Sequence, residues 1–365
     1  MNMPMPTTDV KTTTALNPHA TAGNDEERHT VVTLPTPAQL RHELPVSAEL
    51  AEQVARHRNT IRRVLAGDDP RMLLVVGPCS VHDEVAALEY GERLARLAET
   101  VSDQCVVVMR AYLEKPRTTV GWKGLLYDPE RTGQGDMAQG LVRSRRLLLN
   151  LASLGLPLAT EALNPVAVNY LEDLVSWTAI GARTTESQLH REMASGLPMP
   201  VGFKNGTDGS VGMALNAMQS ARHSHHLLGM DPDGRPAMLI TGGNQDVHLV
   251  LRGGRGITNY DADSISEATE ALAKADLSAA IMVDCSHDNA CKQAERQMSI
   301  ARDVVVQRCA GNTRIRAIML ESFLEPGRQN DGADLLYGQS ITDPCLGWIE
   351  TETLLQSLAD LLRRR

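Results

Sequence analysis

RMLLVVGPCSVHDEVAALEYGERLARLAE, residues 71–99, spells out a strand, a polar turn and a helix in that order. Residues 72–76 are consecutive apolar side chains with no polar alternation, the pattern of a strand buried on both faces of a parallel sheet. Gly77-Pro78-Cys79-Ser80 breaks the run, and residues 84–97 then place apolar side chains at helical spacing. Similar apolar runs follow at 106–109, 158–160, 179–182, 201–203, 248–251, 281–283 and 317–320. Helical patterns lie between most of them, at 140–154, 165–177, 210–220, 264–273 and 290–308. Eight such runs are what a closed parallel barrel requires, so the chain is expected to be an α/β protein built as a (β/α)8 TIM barrel. The piece HHLLGMDPDGRPAMLI (225–240) reads either as the sixth strand or as a hairpin inserted beside it, the second being preferred.

Outside this pattern, residues 1–36 are rich in Thr, Ala, Asn and Pro and show no sustained period. They are expected to form an arm, mobile at least through Arg28, with 31–34 suited to an extended segment that pairs with another subunit. Ser47 fits the N-cap of a helix over 47–65, with Leu50, Val54, Ile61, Val64 and Leu65 at helical spacing. The expected division is an arm at 1–46, serving oligomer or regulatory contacts, and a catalytic barrel at 47–365.

The chain has a formal charge of -9, which argues against a nucleic-acid or anionic-membrane surface. No apolar run approaches the ~18 residues of a membrane span, and residues 1–6 lack a signal-peptide pattern; a cytoplasmic location is expected. Only two Phe, six Tyr and three Trp are present, so aliphatic side chains must fill the core. None of the six cysteines forms a CxxC pair, and no disulfide framework is expected.

The polar residues fall at telling positions. The first run ends in Cys79, the second in Arg110 with Lys115, Arg117 and Thr118 close behind, and the third in Glu161. Arg183, Lys204 and Arg252 follow the next three, Asp284-Cys285-Ser286-His287 the seventh, and Glu321 the eighth; Asp343 sits in a final loop. In a (β/α)8 barrel the strand C-termini converge on one mouth, so these side chains would meet in a single pocket. Six cations there (Arg110, Lys115, Arg117, Arg183, Lys204, Arg252) would repel one another unless polyanions bind, and two phosphorylated substrates or one bisphosphate would account for them. Cys79, His287, Glu321 and Asp343 form a second set, whose mixed S, N and O donors suit a borderline divalent metal. By themselves the four do not specify a metal, because no short spacing links them; His287 also reads as a satisfied core histidine and Cys79 as an inert buried thiol. His223, His225 and His226, next to Arg222, read as a solvated helix end rather than a second metal site, and Arg363-Arg364-Arg365 as complementing a helix dipole.

Seven segments taken together resemble the class I, microbial, aromatic-regulated 3-deoxy-D-arabino-heptulosonate-7-phosphate (DAHP) synthases. They are GPCSVHD (77–83), EKPRTTVGWKG (114–124), SWTAIGARTTESQ (176–188), PVGFKNGTDG (200–209), LRGG (251–254), DCSH (284–287) and YGQSITDPCLGW (337–348). The resemblance implies a (β/α)8 barrel that condenses phosphoenolpyruvate with erythrose 4-phosphate and water, giving DAHP and phosphate at the entry to the shikimate pathway. It further implies one divalent metal ion (Mn, Fe, Co or Zn) held by Cys79, His287, Glu321 and Asp343. Arg110, Lys115, Arg183, Lys204 and Arg252 match residues that hold phosphoenolpyruvate, while Lys115, Arg117 and Thr118 match the erythrose 4-phosphate site. In the chemistry so implied, Lys115 is placed to donate the proton to the new alkoxide; Glu161 lies in the same pocket, and it or a metal ligand is the candidate base for the attacking water. The family also implies a homodimer or homotetramer with an aromatic amino acid effector. At 164–168, Pro198 and 227–229 the chain departs from the phenylalanine-sensitive pattern, whereas ESFLEPG (321–327) and YGQSITDPCLGW look closer to the tryptophan-sensitive form.

Three rivals stand beside this reading. A sister synthase using arabinose 5-phosphate typically carries an Asn-Arg-Ser-type segment where this chain has Lys115-Pro116-Arg117-Thr118. A Schiff-base aldolase would use Lys204 as its nucleophile. A non-catalytic regulatory barrel should have lost some site residues, and none is lost here.

Overall fold

The structure is a computed structural model that describes residues 30–364. The mobile arm expected through Arg28 lies outside the described residues, and 30–36 carry no helix or strand. Pro35 onward forms one compact unit.

The strands are β1 (Met72–Gly77), β2 (Cys105–Arg110), β3 (Leu158–Glu161), β4 (Trp177–Ile180), β5 (Val201–Lys204), β6 (His226–Met230), β7 (Pro236–Ile240), β8 (Val247–Leu251), β9 (Ile281–Asp284) and β10 (Ile315–Glu321). Eight of them close into a parallel barrel in the order β1-β10-β9-β8-β5-β4-β3-β2. Strands β6 and β7 stand apart as an antiparallel hairpin, so 225–240 is the insertion and β8 supplies the sixth barrel strand. The barrel strands are buried almost throughout, while β6 and β7 alternate between half-buried and exposed positions, as a one-sided ribbon must.

The helices begin where the sequence offers caps. Ser47 Oγ accepts from Leu50 N at 3.2 Å to start α2 (Ala48–Ala66), which follows the short α1 (Pro37–Glu43), and Gly67 ends it in the left-handed conformation. Asp83 caps α3 (Glu84–Thr100), Asp136 caps α4 (Met137–Ser153), and Asn164 caps α5 (Pro165–Leu171) with Pro165 in its first turn.

Helix α2 sets which end of the barrel is open. Arg58 Nε donates to Val175 O at 2.9 Å, and Arg62 pairs with Asp246 and reaches Pro198 O at 2.6 Å. Those residues immediately precede β4, β8 and β5, so α2 lies across the N-terminal end, with Ile61, Val64 and Leu65 in one apolar cluster with Val75, Val108, Trp177, Val250, Met282 and Met319. Each fully buried aliphatic of this kind contributes about 1.5–3 kcal/mol. Within the cluster Trp177 Nε1 donates to His248 Nε2 at 2.9 Å, and burial pushes the His248 pKa down to about 4, keeping that ring a neutral acceptor. The opposite, C-terminal end is left for chemistry.

Several boundaries differ from expectation. The helix expected over 165–177 stops at Leu171, followed by one tight turn, because Trp177 is needed as the first residue of β4. The helix expected from 290 starts only at Arg296, as α9 (Arg296–Cys309), since 285–295 form successive turns around the barrel mouth. Helix α6 (Gln188–Gly196) escaped the sequence pattern; it is short, and Ser187 makes no side-chain capping bond. Helices α7 (Gly212–Ala221), α8 (Ala262–Lys274) and α10 (Trp348–Arg363) complete the layer.

Gly77 pairs with Glu321 at the top of β1 and has φ +155, and a Cβ there would lie 2.7 Å from the Arg110 carbonyl oxygen. Gly77→Ala is therefore expected to cost roughly 2 kcal/mol in urea unfolding; an unchanged midpoint would mean that the backbone relaxes there without cost.

Candidate active site

The strand tips enclose a cavity of about 310 Å³, in the range of small-molecule sites. Lys115, Arg117, Thr118, Glu161, Arg183, Lys204, Arg252, His287 and Asp343 all line it. Behind them Cys79, Arg110 and Glu321 are almost wholly enclosed. All twelve side chains singled out in the sequence thus gather at one end of the barrel, carried there by the strand register that sets Gly77 beside Glu321 and Met319 beside Asp284.

The possible metal donors do not all stand equally close. Ligand atoms of Cys79, Glu321 and Asp343 lie within 4.8 Å of one another. His287 sits at the edge of that trio, its Nε2 3.9 Å from Glu321 Oε1 and its Nδ1 2.9 Å from Asp284 Oδ2 without a well-directed hydrogen bond. Its backbone is left-handed, φ 49. Lys115 Nζ is 2.7 Å from Cys79 Sγ and 3.0 Å from Asp343 Oδ2, so a cation already stands where the donors converge. A thiol and two carboxylates, with an imidazole alongside, fit a borderline divalent ion.

Electrostatics at this point are strongly coupled. Burial and the nearby Glu321 push the Cys79 thiol up to about 12, against the pull of Lys115. Burial alone would raise Asp343, yet Lys115 and His287 hold its carboxyl well below the usual range. Glu321, also buried, is lowered by His287 and Arg110, and Asp284 is held well below its ordinary value by His287 and Lys204. Burial works against the charge on Lys115, but Cys79, Asp343 and Glu321 raise its pKa. A thiol that must ionise to ligate, packed beside two carboxylates, is a setting that a divalent cation stabilises.

The expected repulsion among six cations is largely absent. Arg110 pairs with Glu321 at 3.2 Å, Lys115 with Asp343 at 3.0 Å, Lys204 with Asp284 at 2.8 Å and Arg252 with Asp288 at 2.9 Å. Among the described residues, only Arg117 and Arg183 of the six lack a carboxylate partner; Arg117 Nε donates to the Trp122 carbonyl instead. The partners Asp284 and Asp288 received no role from the sequence, although both follow the seventh run. Ser286 Oγ, which donates to Glu321 Oε2 at 2.6 Å, and Gln297, whose side chain bonds both the N–H and the carbonyl of Glu321, were missed too; nothing in their spacing marks them. Arg110 also lies 3.9 Å over the Tyr112 ring, which fixes its plane. Away from the mouth, His223 Nδ1 bonds Gln219 O and His225 Nε2 bonds Ser220 O, so both rings are spent on the end of α7.

Comparison with known proteins bears on all of this. The DAHP synthetase I family matches residues 43–356. "Phospho-2-dehydro-3-deoxyheptonate aldolase, Tyr-sensitive" of Escherichia coli (strain K12) is 49% identical over 328 residues, 89% of this chain and 92% of the relative. The "Trp-sensitive" enzyme of the same name from Enterobacter agglomerans is 49% identical over 332 residues, 90% of this chain and 95% of the relative. Among solved structures, the phospho-2-dehydro-3-deoxyheptonate aldolase from Francisella tularensis SCHU S4 superposes with a TM-score of 0.90 at 39% identity, covering 93% of this chain and 100% of that one.

Glu114, beside the cavity, gives the site a handle on pH. It is 5% exposed and accepts from Tyr127 Oη at 3.0 Å and from Asn164 N at 3.4 Å. Burial pushes its pKa from 4.5 to about 7; Tyr127 opposes the shift and Glu161 adds to it. A carboxyl whose folded pKa is raised costs nothing below its unfolded pKa, and its cost grows as pH climbs through 4.5 to 7 and is complete above. Glu114→Gln, which keeps an oxygen for Tyr127, should therefore be more stable than the parent at pH 8 by up to about 3 kcal/mol. The gap should close below pH 5; in urea unfolding, equal differences at both pH values would show that Glu114 titrates normally.

Proposed function

Because the chain belongs to the DAHP synthetase I family, we propose that its barrel mouth condenses phosphoenolpyruvate with erythrose 4-phosphate and water, releasing DAHP and phosphate at the entry to the shikimate pathway. The observation that carries the assignment of roles is Lys115, held between Cys79 and Asp343 in a cavity ringed by cations. The family generally uses a divalent metal. Cys79, His287, Glu321 and Asp343 would hold it, with Mn, Fe, Co or Zn all compatible with such donors. Bound there, it supplies Lewis acidity toward the aldehyde oxygen.

Arg110, Lys115, Arg183, Lys204 and Arg252 take the phosphate and carboxylate of phosphoenolpyruvate, and Lys115, Arg117 and Thr118 take erythrose 4-phosphate. Two anions fixed face to face put the enol carbon within reach of the aldehyde carbon. As the carbon–carbon bond forms, Lys115 Nζ gives its proton to the new alkoxide. Water then adds at C2 of the resulting oxocarbenium and gives up one proton to Glu161; the C2 hydroxyl becomes the ketone as the C2–oxygen bond to phosphate breaks, and its proton leaves with the phosphate. Gly181 leaves room for that carboxylate: a Cβ at Gly181 would come within 2.2 Å of Glu161 Oε1.

The Schiff-base alternative loses support at Lys204, whose Nζ is tied to the fully buried Asp284 at 2.8 Å; an ammonium held that way is a poor nucleophile. An aromatic amino acid is the effector we propose, in keeping with relatives named Tyr-sensitive and Trp-sensitive. Tryptophan is favoured by the segments 321–327 and 337–348. A homodimer or homotetramer, with the arm over 1–46 at its contacts, completes the proposal. No helix among the described residues is long and apolar enough to cross a membrane.

Phosphate release from phosphoenolpyruvate is expected with erythrose 4-phosphate but not arabinose 5-phosphate, to vanish after EDTA and to return with Mn. Turnover that survives thorough chelation would overturn the ligand assignment. Lys115→Ala should lower turnover by about 10²-fold or more while metal content stays near that of the parent; normal turnover would remove Lys115 from the chemistry.

A further inference from the structure

One more cation lines the cavity and is used by none of the roles above: Lys292. Like Arg117 it is exposed, and among the described residues it forms no ion pair. Its position is set with care. Lys292 N donates to His287 O at 2.9 Å and Cys291 N to Asp288 O at 3.1 Å, the paired closure of a Schellman motif. Such a motif normally places glycine in the left-handed position, yet Cys291 (φ 50) and Lys292 (φ 59) both adopt that conformation with side chains attached. Each such residue strains the backbone, and the surrounding structure has to offset that strain. The offset is visible. Asp288 pairs with Arg252 at 2.9 Å, and Asn289 Nδ2 donates to Asp284 O at 2.9 Å and to Leu251 O at 3.3 Å, so the turn is bolted to the tips of β8 and β9. A strained turn fastened this firmly, carrying one free ammonium into a pocket, is a built feature rather than a loose surface lysine.

We infer that Lys292, together with Arg117, binds the phosphate of the second, sugar-phosphate substrate at the outer rim of the mouth. Charge accounting favours that phosphate over the one on phosphoenolpyruvate. Three of the cations given to phosphoenolpyruvate, Arg110, Lys204 and Arg252, are buried and already matched by acids, with exposed Arg183 the unmatched one on that side; Arg117 and Lys292 are both exposed and unmatched, so an incoming dianion meets them without breaking an ion pair. The aldehyde end of the sugar must lie inward near Lys115, which leaves its phosphate pointing out toward these two side chains. A flexible ammonium suits this task, since it can follow the ligand as a point charge while Arg117 gives direction.

The inference rests on the proposed function, and its test separates the two. Turnover by the parent enzyme with erythrose 4-phosphate checks the function itself. Given that turnover, Lys292→Ala should raise the KM for erythrose 4-phosphate about tenfold while the KM for phosphoenolpyruvate stays within twofold, and Lys292→Arg should recover most of the loss. A KM for the sugar phosphate that stays within twofold of the parent, or a rise confined to phosphoenolpyruvate, would overturn the assignment of Lys292 alone.

Discussion

Everything at the barrel mouth depends on one constraint: charges taken out of water must be matched. Arg110 and Glu321 are both essentially inaccessible, as are Lys204 and Asp284, and each pair closes at hydrogen-bonding distance. Burying such ions costs several kcal/mol apiece, and removing one partner from a matched pair typically costs about 3–5 kcal/mol. The pairs are therefore a liability for stability unless something else needs them. What needs them is geometry: a guanidinium clamped between Glu321 and the Tyr112 ring cannot swing, and an ammonium tied to Asp284 points into the cavity. The barrel spends stability to hold cations in place before a substrate arrives, which is the electrostatic preorganisation that catalysis rewards.

The same constraint explains why the supporting residues are where they are. Glu321 is gripped by Gln297 through its backbone and by Ser286 through its side chain, so the carboxylate is aimed by α9 and by the turn after β9 together. Asn205 accepts from Arg252 N at 2.7 Å and donates to Gly253 O at 3.0 Å, locking the tip of β5 to that of β8. Rigid strand tips and hydrogen-bonded turns keep the constellation fixed, and α2 packs across the far end.

Fold and site were legible to different depths. The eight barrel strands could be read because residues such as 72–76 and 281–283 form apolar runs too short for a helix, bounded by polar turns and recurring between helical patterns. Eleven of the twelve polar residues could be read because each follows such a run; Asp343, in a final loop, does not. Resemblance then supplied their roles, which spacing alone could not. Asp284 and Asp288 stayed without a role for a physical reason: an acid that neutralises a neighbouring cation looks, in sequence, like any loop acid. The strained turn at Cys291 and Lys292 was invisible for the opposite reason, since the conformation appears where glycine would have announced it and does not. Helix boundaries such as 165–171 failed because tertiary demand for Trp177 in β4 overrode a local helical pattern.

On the proposed roles, matched and unmatched cations divide the work between two anions. A phosphate entering among Arg110, Lys204 and Arg252 competes with carboxylates already there, so its binding is tempered and orientation counts for more than strength. A phosphate arriving at Arg117 and Lys292 meets exposed charge that is screened by salt and costs little to leave unpaired, so it is held loosely and can depart. An enzyme that must order two polyanions in one small cavity gains from that asymmetry. The inner anion is held by direction and the outer one by charge, and neither has to expel the other's partners.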